Sequence, residues 1–413
     1  MQKEVIKNFY HRHMNNRVLK GILKMYRRGK RRGKKIRVVF LCQMPQLWNK
    51  LEGIYQEMQD SPFFTCMILV VPDVSVAGGH QQESLQFFRQ LGGTDRVRMA
   101  QGKDGLLSQQ ELQPDYVFYQ RPYDHYLPEE YRSYVVANYA RICYVPYAYA
   151  CTKPVEASCY NQALFQNVYL FFAENSYAGK LMYNRERERY RQGQKKVFDL
   201  GYPALDKIQK AEAENSLFWQ RETKKTWKIL WCPRWTTEQN LGSSHFFDYK
   251  EKFPELVQEE KDYSLVFRPH PMMFDNFVKT GEMTEDEVKS YISVYEREER
   301  LFYDKEADYY ATLWKSDVLI ADLTTVMVEY LVTRKPIIYC VSEIAYNGFM
   351  KGILAGCYCV ESWEELKDTV SMLQRGQDPL KEKRNAVADS LLKGKENAAK
   401  AIVEEVAKDF YNG

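Results

Sequence analysis

The sequence predicts an α/β protein of two domains with mostly parallel strands, preceded by a basic helical arm. Three observations predict it. Short apolar runs rich in β-branched and aromatic residues alternate with helical stretches, which is the pattern of βα units. The alternation occurs twice, on either side of a break near residues 201–226, and implies two similar domains facing a cleft. At 413 residues the chain has room for two cores, since domains run roughly 100–200 residues. Apolar residues at 45% and charged residues at 28% exclude a disordered chain.

The arm comes first. Residues 1–37 hold fourteen Lys and Arg and one acid, Glu4, a net +13; with +4 for the whole chain, the rest is −9. A nucleic-acid enzyme spreads positive charge over its folded body, so a basic arm on an acidic body argues against a nucleic-acid partner. Val5, Ile6, Phe9, Tyr10, Met14, Val18, Leu19, Ile22, Leu23 and Tyr26 recur at helical spacing with basic residues between them. An amphipathic helix of this kind lies on an anionic membrane. Packing on the body with a solvated basic face is the plainer reading, and RNA binding the third. Residues 1–35 are therefore read as a membrane-associating arm.

From Ile36 onward the strands are read as Ile36–Leu41, Thr65–Val71, Tyr116–Gln120, Ile142–Val145, Val168–Phe172 and Val197–Leu200. Each is almost continuously apolar, as expected when helices cover both faces of a parallel sheet. These make the first domain, 36–203. After a polar helical stretch at Ala211–Lys225, a second series follows: Lys228–Cys232, Ser264–Arg268, Ile292–Tyr295, Val318–Ala321, Ile337–Cys340 and Cys357–Val360. These make the second domain, 204–380. Residues 381–413 read as a C-terminal helix that packs back on the first domain.

Nine cysteines, an odd count without CxxC pairs, sit mostly inside apolar runs. They read as small buried hydrophobes in a reducing compartment. The longest apolar run, near Phe63–Pro72, is far short of the roughly 20 residues that span a bilayer. No apolar h-region follows Met1. The expected location is cytoplasmic.

Ligands of open α/β sheets bind at the carboxyl ends of strands, so the residues after each strand carry the functional expectations. In Phe267-Arg268-Pro269-His270-Pro271 two prolines stop the strand and fix the backbone around the histidine. Arg268 and His270 then project where charge-assisted hydrogen bonds can hold a phosphate. In Ala321-Asp322-Leu323-Thr324-Thr325-Val326 a buried strand runs into two hydroxyls at a helix start, suited to an anion; Asp322 or Thr324 also suits an N-cap. There is no GxxxxGK[ST], so this is no P-loop. In Trp231-Cys232-Pro233-Arg234-Trp235 Arg234 suits a phosphate and Trp235 a base, or both pack. In the first half, Arg121-Pro122-Tyr123-Asp124-His125 and Pro146-Tyr147-Ala148-Tyr149 follow strands. Asp124 or His125 suits a general base for an acceptor hydroxyl, or forms a plain surface turn. Arg121, Tyr147 and Tyr149 are expected to line the acceptor cleft. Nothing has metal-site spacing.

The succession Gly201-Tyr202-Pro203-Ala204-Leu205-Asp206, Leu230-Trp231-Cys232-Pro233-Arg234-Trp235, Arg268-Pro269-His270-Pro271, Ser316 through Thr325, Tyr330, and Lys335-Pro336-Ile337-Ile338-Tyr339 resembles the CDP-glycerol glycerophosphotransferases, which build or prime teichoic acids and related capsular polymers. The resemblance implies a GT-B fold with CDP-glycerol bound in the C-terminal domain. It places His270 with the donor phosphates, Thr324 and Thr325 on the pyrophosphate, and Arg268 in support. It implies no tightly bound cofactor, leaves a divalent metal open, and places the enzyme at the inner membrane face on a lipid-linked glycan acceptor. The family's Trp-His-Gly loop in the N-terminal domain has no counterpart: Val145-Pro146-Tyr147-Ala148-Tyr149 stands there without His or Gly. The expected reaction is transfer of glycerol phosphate, or a similar polyol phosphate, to a hydroxyl with release of CMP. A GT-B glycosyltransferase using a nucleotide sugar is the alternative, and a binding subunit without catalysis a third.

Overall fold

The computed structural model describes residues 35–74, 81–102, 105–106, 112–214, 218–219, 226–306 and 309–412. The arm expected at residues 1–35 therefore lies outside the described residues, apart from Lys35. By contact the chain divides into one unit of residues 1–150, 155–206 and 395–413, and a second of residues 151–154 and 207–394.

In the first unit the apolar runs become β1 (Ile36–Cys42), β2 (Phe64–Val70), β3 (Val97–Met99), β4 (Tyr116–Tyr119), β5 (Arg141–Tyr144), β6 (Val168–Phe172) and β7 (Lys196–Phe198). They pair all in parallel in the order β3-β2-β1-β4-β5-β6-β7. Every position of β4, β5 and β6 is buried, because a parallel sheet needs helices on both faces. The chain enters and leaves this unit at a tight point. Gly201 has φ +94, and a Cβ there would sit 2.7 Å from the Lys395 carbonyl, so only glycine fits.

In the second unit β8 (Trp227–Cys232), β9 (Tyr263–Phe267), β10 (Leu301–Tyr303), β11 (Val318–Ala321), β12 (Ile337–Cys340) and β13 (Tyr358–Val360) form a parallel sheet ordered β10-β9-β8-β11-β12-β13. Both sheets thus have doubly wound order. Each has a switch point beside its first strand, between β1 and β4 and between β8 and β11. The second core is dense in aromatics, with Trp231, Phe246, Phe253 and Phe267 among its buried members.

Three expectations are corrected. Ile292–Tyr295 is not a strand but lies inside the helix Glu285–Arg297. Thr284 and Glu287 close a capping box at its start, and Tyr291 and Tyr295 then bury one turn apart, so capping and helical spacing override β propensity. The strand that pairs outside β9 is β10. Residues 381–413 are two helices, Lys381–Leu392 and Ala398–Asn412, broken where Gly394 and Asn397 take φ of 76 and 60. The first is tied to the second unit by Arg384–Asp378 and Arg334–Asp389; the second belongs to the first unit. Of the helix expected at Ala211–Lys225 the described part is a 3-10 turn at Ala211–Ala213.

The last helix is held by charge. Asp409 is 3% exposed and accepts hydrogen bonds from Tyr116 at 2.6 Å, Tyr169 at 3.0 Å, Arg141 and Lys196. Burial works to raise the pKa of its carboxyl, but Arg141 and the other donors hold it below its usual range. All nine cysteines are free, and only Cys359 is exposed. No helix among the described residues is long and apolar enough to cross a membrane.

Candidate donor site at the switch point of the second unit

Three strand ends meet beside the β8/β11 switch point. β11 delivers Asp322, 2% exposed. Its Oδ2 accepts the backbone N–H of Arg234 at 2.8 Å and the Ser244 hydroxyl at 3.0 Å, while Oδ1 lies 2.8 Å from His245 Nδ1. One buried carboxylate therefore fixes both ends of the loop that leaves β8. The Arg234 guanidinium donates through Nη1 to the Leu323 carbonyl, which seats it beside Thr324 and Thr325. Its buried Nε has no hydrogen-bond partner. Gly242 closes the loop with φ +85, where a Cβ would press 3.1 Å from Leu323.

β9 delivers Arg268 and His270. Arg268 pairs with Asp304 at 2.8 Å, donates to the Glu306 carbonyl at 3.0 Å, and lies 3.8 Å over the Tyr309 ring. Tyr309 in turn donates to Glu329 at 2.5 Å. Burial pushes the Glu329 carboxyl up to about 7 and also raises Asp304. His270 Nδ1 accepts the backbone N–H of Met272 at 3.2 Å, so in the neutral ring the proton sits on Nε2 as an outward donor. Burial, then the charges of Arg234 and Arg268, drive the His270 pKa down to about 4. The imidazole is neutral at physiological pH, not an imidazolium. The charges of two guanidiniums act on a neutral N–H donor, surroundings whose chemistry suits an anion, and an arriving anion would offset the very charges that depress the histidine.

Thr324 and Thr325 are half-buried at the start of the helix Val326–Tyr330. The Thr325 hydroxyl makes no capping bond, and Thr324 Oγ1 receives only a 3.5 Å contact from Val326 N–H. Asp322 is not an N-cap of this helix; its oxygens are committed to the Arg234 loop. Trp235 lies with its ring 6.3 Å from that of His270. Arg234, Arg268, His270, Thr324 and Thr325 thus all follow strands that adjoin in the sheet, β8, β9 and β11, and Asp322 orders the loop that carries Arg234.

Sequence reasoning missed His245, Asp304, Tyr309 and Glu329. Asp304 directly follows β10 and was hidden by placing that strand at Ile292–Tyr295. His245 carries no local signal, since its partner Asp322 is 77 residues away. Burial works to lower the His245 pKa, but the hydrogen bond and charge of Asp322 raise it overall. His245, Asp322 and Cys340 also present ligand atoms within 4.8 Å of one another; a cation there would have to displace His245 from Asp322.

At the carboxyl edge of the first sheet, Arg121 pairs with Asp73 at 2.6 Å, donates to Gln43 Oε1 at 2.6 Å, and lies 4.8 Å over the Tyr126 ring. Asp124 is buried and accepts the Ser133 hydroxyl at 2.6 Å, so its carboxylate braces the chain and does not face a ligand. His125 is exposed with its ring 4.1 Å from that of Tyr126. The Tyr147 and Tyr123 hydroxyls are 2.9 Å apart. Tyr149 does not line an open surface: it is 4% exposed, edge-on to Tyr202.

The comparisons with known proteins bear on both units. The chain is similar to a putative UDP-N-acetylglucosamine 2-epimerase from Listeria monocytogenes, at 16% identity and TM-score 0.62 over 92% of this chain and 98% of that one. It is similar to the wall teichoic acid polymerase TagF, at 14% identity and TM-score 0.60 over 98% of both chains. A UDP-GlcNAc 2-epimerase from Neisseria meningitidis, bound to UDP-GlcNAc, matches at 12% identity and TM-score 0.60 over 91% of this chain and 100% of that one. These likenesses show the fold, a pair of Rossmann-like units of the GT-B kind. No curated protein matches the chain by sequence. The family model for CDP-glycerol:poly(glycerophosphate) glycerophosphotransferases matches residues 163–408, a span that includes every residue of the donor site. The chain is a member of the CDP-glycerol:poly(glycerophosphate) glycerophosphotransferase family.

Proposed function

We propose that this enzyme transfers glycerol phosphate, or a similar polyol phosphate, from a CDP-activated donor to a hydroxyl of a membrane-linked cell-surface glycan such as a teichoic acid or capsular precursor. The acceptor oxygen attacks the distal phosphorus of the donor. The bond from that phosphorus to the bridging oxygen breaks, CMP leaves with the electron pair, and the hydroxyl proton passes to a base. The observation that carries this reading is His270, an N–H donor at the end of β9 kept neutral by burial and by the charges of Arg234 and Arg268.

In this reading the diphosphate lies against Arg234, Thr324 and Thr325, and His270 Nε2–H stabilises the charge that grows on the departing CMP. Arg268 acts mainly by positioning, because Asp304 and Tyr309 already hold its guanidinium. Catalysis rests on placement and charge neutralisation, as in phosphoryl transfer generally. Of the two candidate bases Asp124 is committed to Ser133, which leaves His125 as the proton acceptor. Residues 1–35 hold the enzyme on the cytoplasmic face of the membrane through anionic lipid headgroups.

The test is to incubate the protein with CDP-glycerol and, separately, with a panel of nucleotide sugars. CMP release from CDP-glycerol alone is the expected result. Turnover of a nucleotide sugar alone would overturn the reading in favour of a glycosyltransferase.

A further inference from the structure

Asp322 and Cys340 stand side by side at the carboxyl edge of the second sheet. β11 and β12 run in parallel with Ala321 opposite Tyr339, so the next pair in that register is Asp322 and Cys340. His245 reaches them from the loop after β8, just before the short helix Phe246–Tyr249, and its Nδ1 lies 2.8 Å from Asp322 Oδ1. The Nδ1, carboxylate oxygen and Sγ atoms of the three residues all lie within 4.8 Å of one another. No local motif announces them, since His245 and Asp322 are 77 residues apart in sequence.

The surroundings hold each of these groups in place. Asp322 and Cys340 are 2% and 1% exposed, and Cys340 is a free thiol. The second carboxylate oxygen, Oδ2, accepts the Arg234 N–H and the Ser244 hydroxyl, which fixes the direction in which Oδ1 points. The His245 ring stacks on Tyr249 at 5.6 Å with 14° between the planes. Carboxylates that bind metals are held by outer hydrogen bonds of this kind. The His245 side chain is 20% exposed and supplies the route from solvent.

We propose that a divalent cation of the zinc class binds to His245 Nδ1, Asp322 Oδ1 and Cys340 Sγ. A thiolate, an imidazole and a carboxylate together suit Zn2+, whereas Mg2+ takes oxygen ligands in an octahedron. Zinc bonds of roughly 2.0–2.3 Å at tetrahedral angles set ligand atoms roughly 3.3–3.7 Å apart. The widest pair would close by at most about 1 Å, and Nδ1 and Oδ1 would part by about 0.5 Å to admit the ion. Binding releases the thiol proton to solvent and leaves the imidazole proton on Nε2. A water completes the tetrahedron. The ion would tie the loop after β8 to the ends of β11 and β12, and so stabilise the second unit in proportion to its occupancy. The proposal is independent of which donor the enzyme uses.

The experiment titrates the full chain, kept reduced, with Zn2+, with Co2+ as a coloured substitute, and with Mg2+. The expected result is a thiolate-to-cobalt charge-transfer band that saturates at one Co2+ per chain, is displaced by Zn2+ and is unaffected by Mg2+. The melting temperature should rise with Zn2+ concentration. Cys340→Ser and His245→Phe should each weaken binding at least 10-fold and remove that rise. Cys359→Ser, at the exposed cysteine, should leave both in place. Melting without metal shows that each variant folds, and Cys340→Ala and His245→Gln replace any that does not. Cobalt bound without the thiolate band, or a band lost in Cys359→Ser and kept in Cys340→Ser, overturns the proposal. So does binding that is unchanged in His245→Phe, or displacement of the band by Mg2+.

Discussion

The carboxylate of Asp322 accepts the backbone N–H of Arg234 at 2.8 Å, so the residue that shapes the donor site does so without facing the donor. Replacing it separates support from contact. Asp322→Ala should lower stability by about 1–3 kcal/mol, because buried donors lose their acceptor, and should abolish donor binding along with it. Arg234→Ala should weaken CDP-glycerol binding with a smaller loss of stability. Urea unfolding and calorimetric titration with CDP-glycerol, run side by side, distinguish the two; equal stability losses would contradict the division of labour.

His270→Ala should lower kcat by about 10²–10³-fold, the usual cost of losing one preorganised donor at a developing oxyanion. His270→Gln, which keeps an N–H donor, should recover part of it. Steady-state kinetics on both variants check this, and near-wild-type kcat in His270→Ala would remove the assigned role.

The depressed pKa of His270 also couples binding to protons. The free site titrates near pH 4, and a bound diphosphate raises that value by supplying the negative charge the pocket lacks. The complex therefore holds more protons than the free enzyme above pH 4. Affinity for CDP-glycerol, whose phosphates stay ionised throughout, should rise as pH falls from 8 towards 5, and this rise should be lost in His270→Gln. Titrations in buffers of different ionisation enthalpy would detect the proton taken up.

Burial pushes two carboxyls, Glu174 beside Tyr160 and Glu329 beside Tyr309, up to about 7. Each binds its proton more tightly folded than unfolded, so its contribution is fully present below about pH 4.5 and lost as pH rises through about 7. Glu174→Gln should remove a penalty on the order of 3 kcal/mol at pH 8 and flatten the decline in stability between pH 5 and 8. A variant with the same slope as the wild type would show that the carboxylate finds compensation.

Asp409→Asn should cost about 3–5 kcal/mol, since it strands a buried Arg141 and weakens the hold on Lys196. Donor affinity measured well below the melting temperature should stay unchanged, because the second unit contains none of these residues.

Strand positions were legible because parallel strands covered on both faces are written as unbroken apolar runs, as in Val318–Ala321 and Ile337–Cys340. The donor residues were legible because prolines and polar residues interrupt those runs where the strands end. What was not legible was set by partners distant in sequence. Asp124 looked like a base until Ser133 claimed it, and Tyr149 looked like a cleft residue until Tyr202 covered it. The helix Glu285–Arg297 shows the local failure: Ile292 and Val294 suit a strand, and only the cap at Thr284 and the helical spacing of Tyr291 and Tyr295 decide otherwise.

The anchoring of the last helix has a consequence for synthesis. Chain growth is vectorial, and the strands that carry Tyr116, Arg141, Tyr169 and Lys196 leave the ribosome some two hundred residues or more before Asp409 does. Until that carboxylate arrives, the four side chains that hold the last helix lack the acceptor they share, whereas residues 151–154 and 207–394 of the second unit have already been made. A nascent chain stalled before Asp409 would hold a complete second unit and a first unit whose buried charge cluster is unfinished, and would remain a target for proteolysis until that residue emerges.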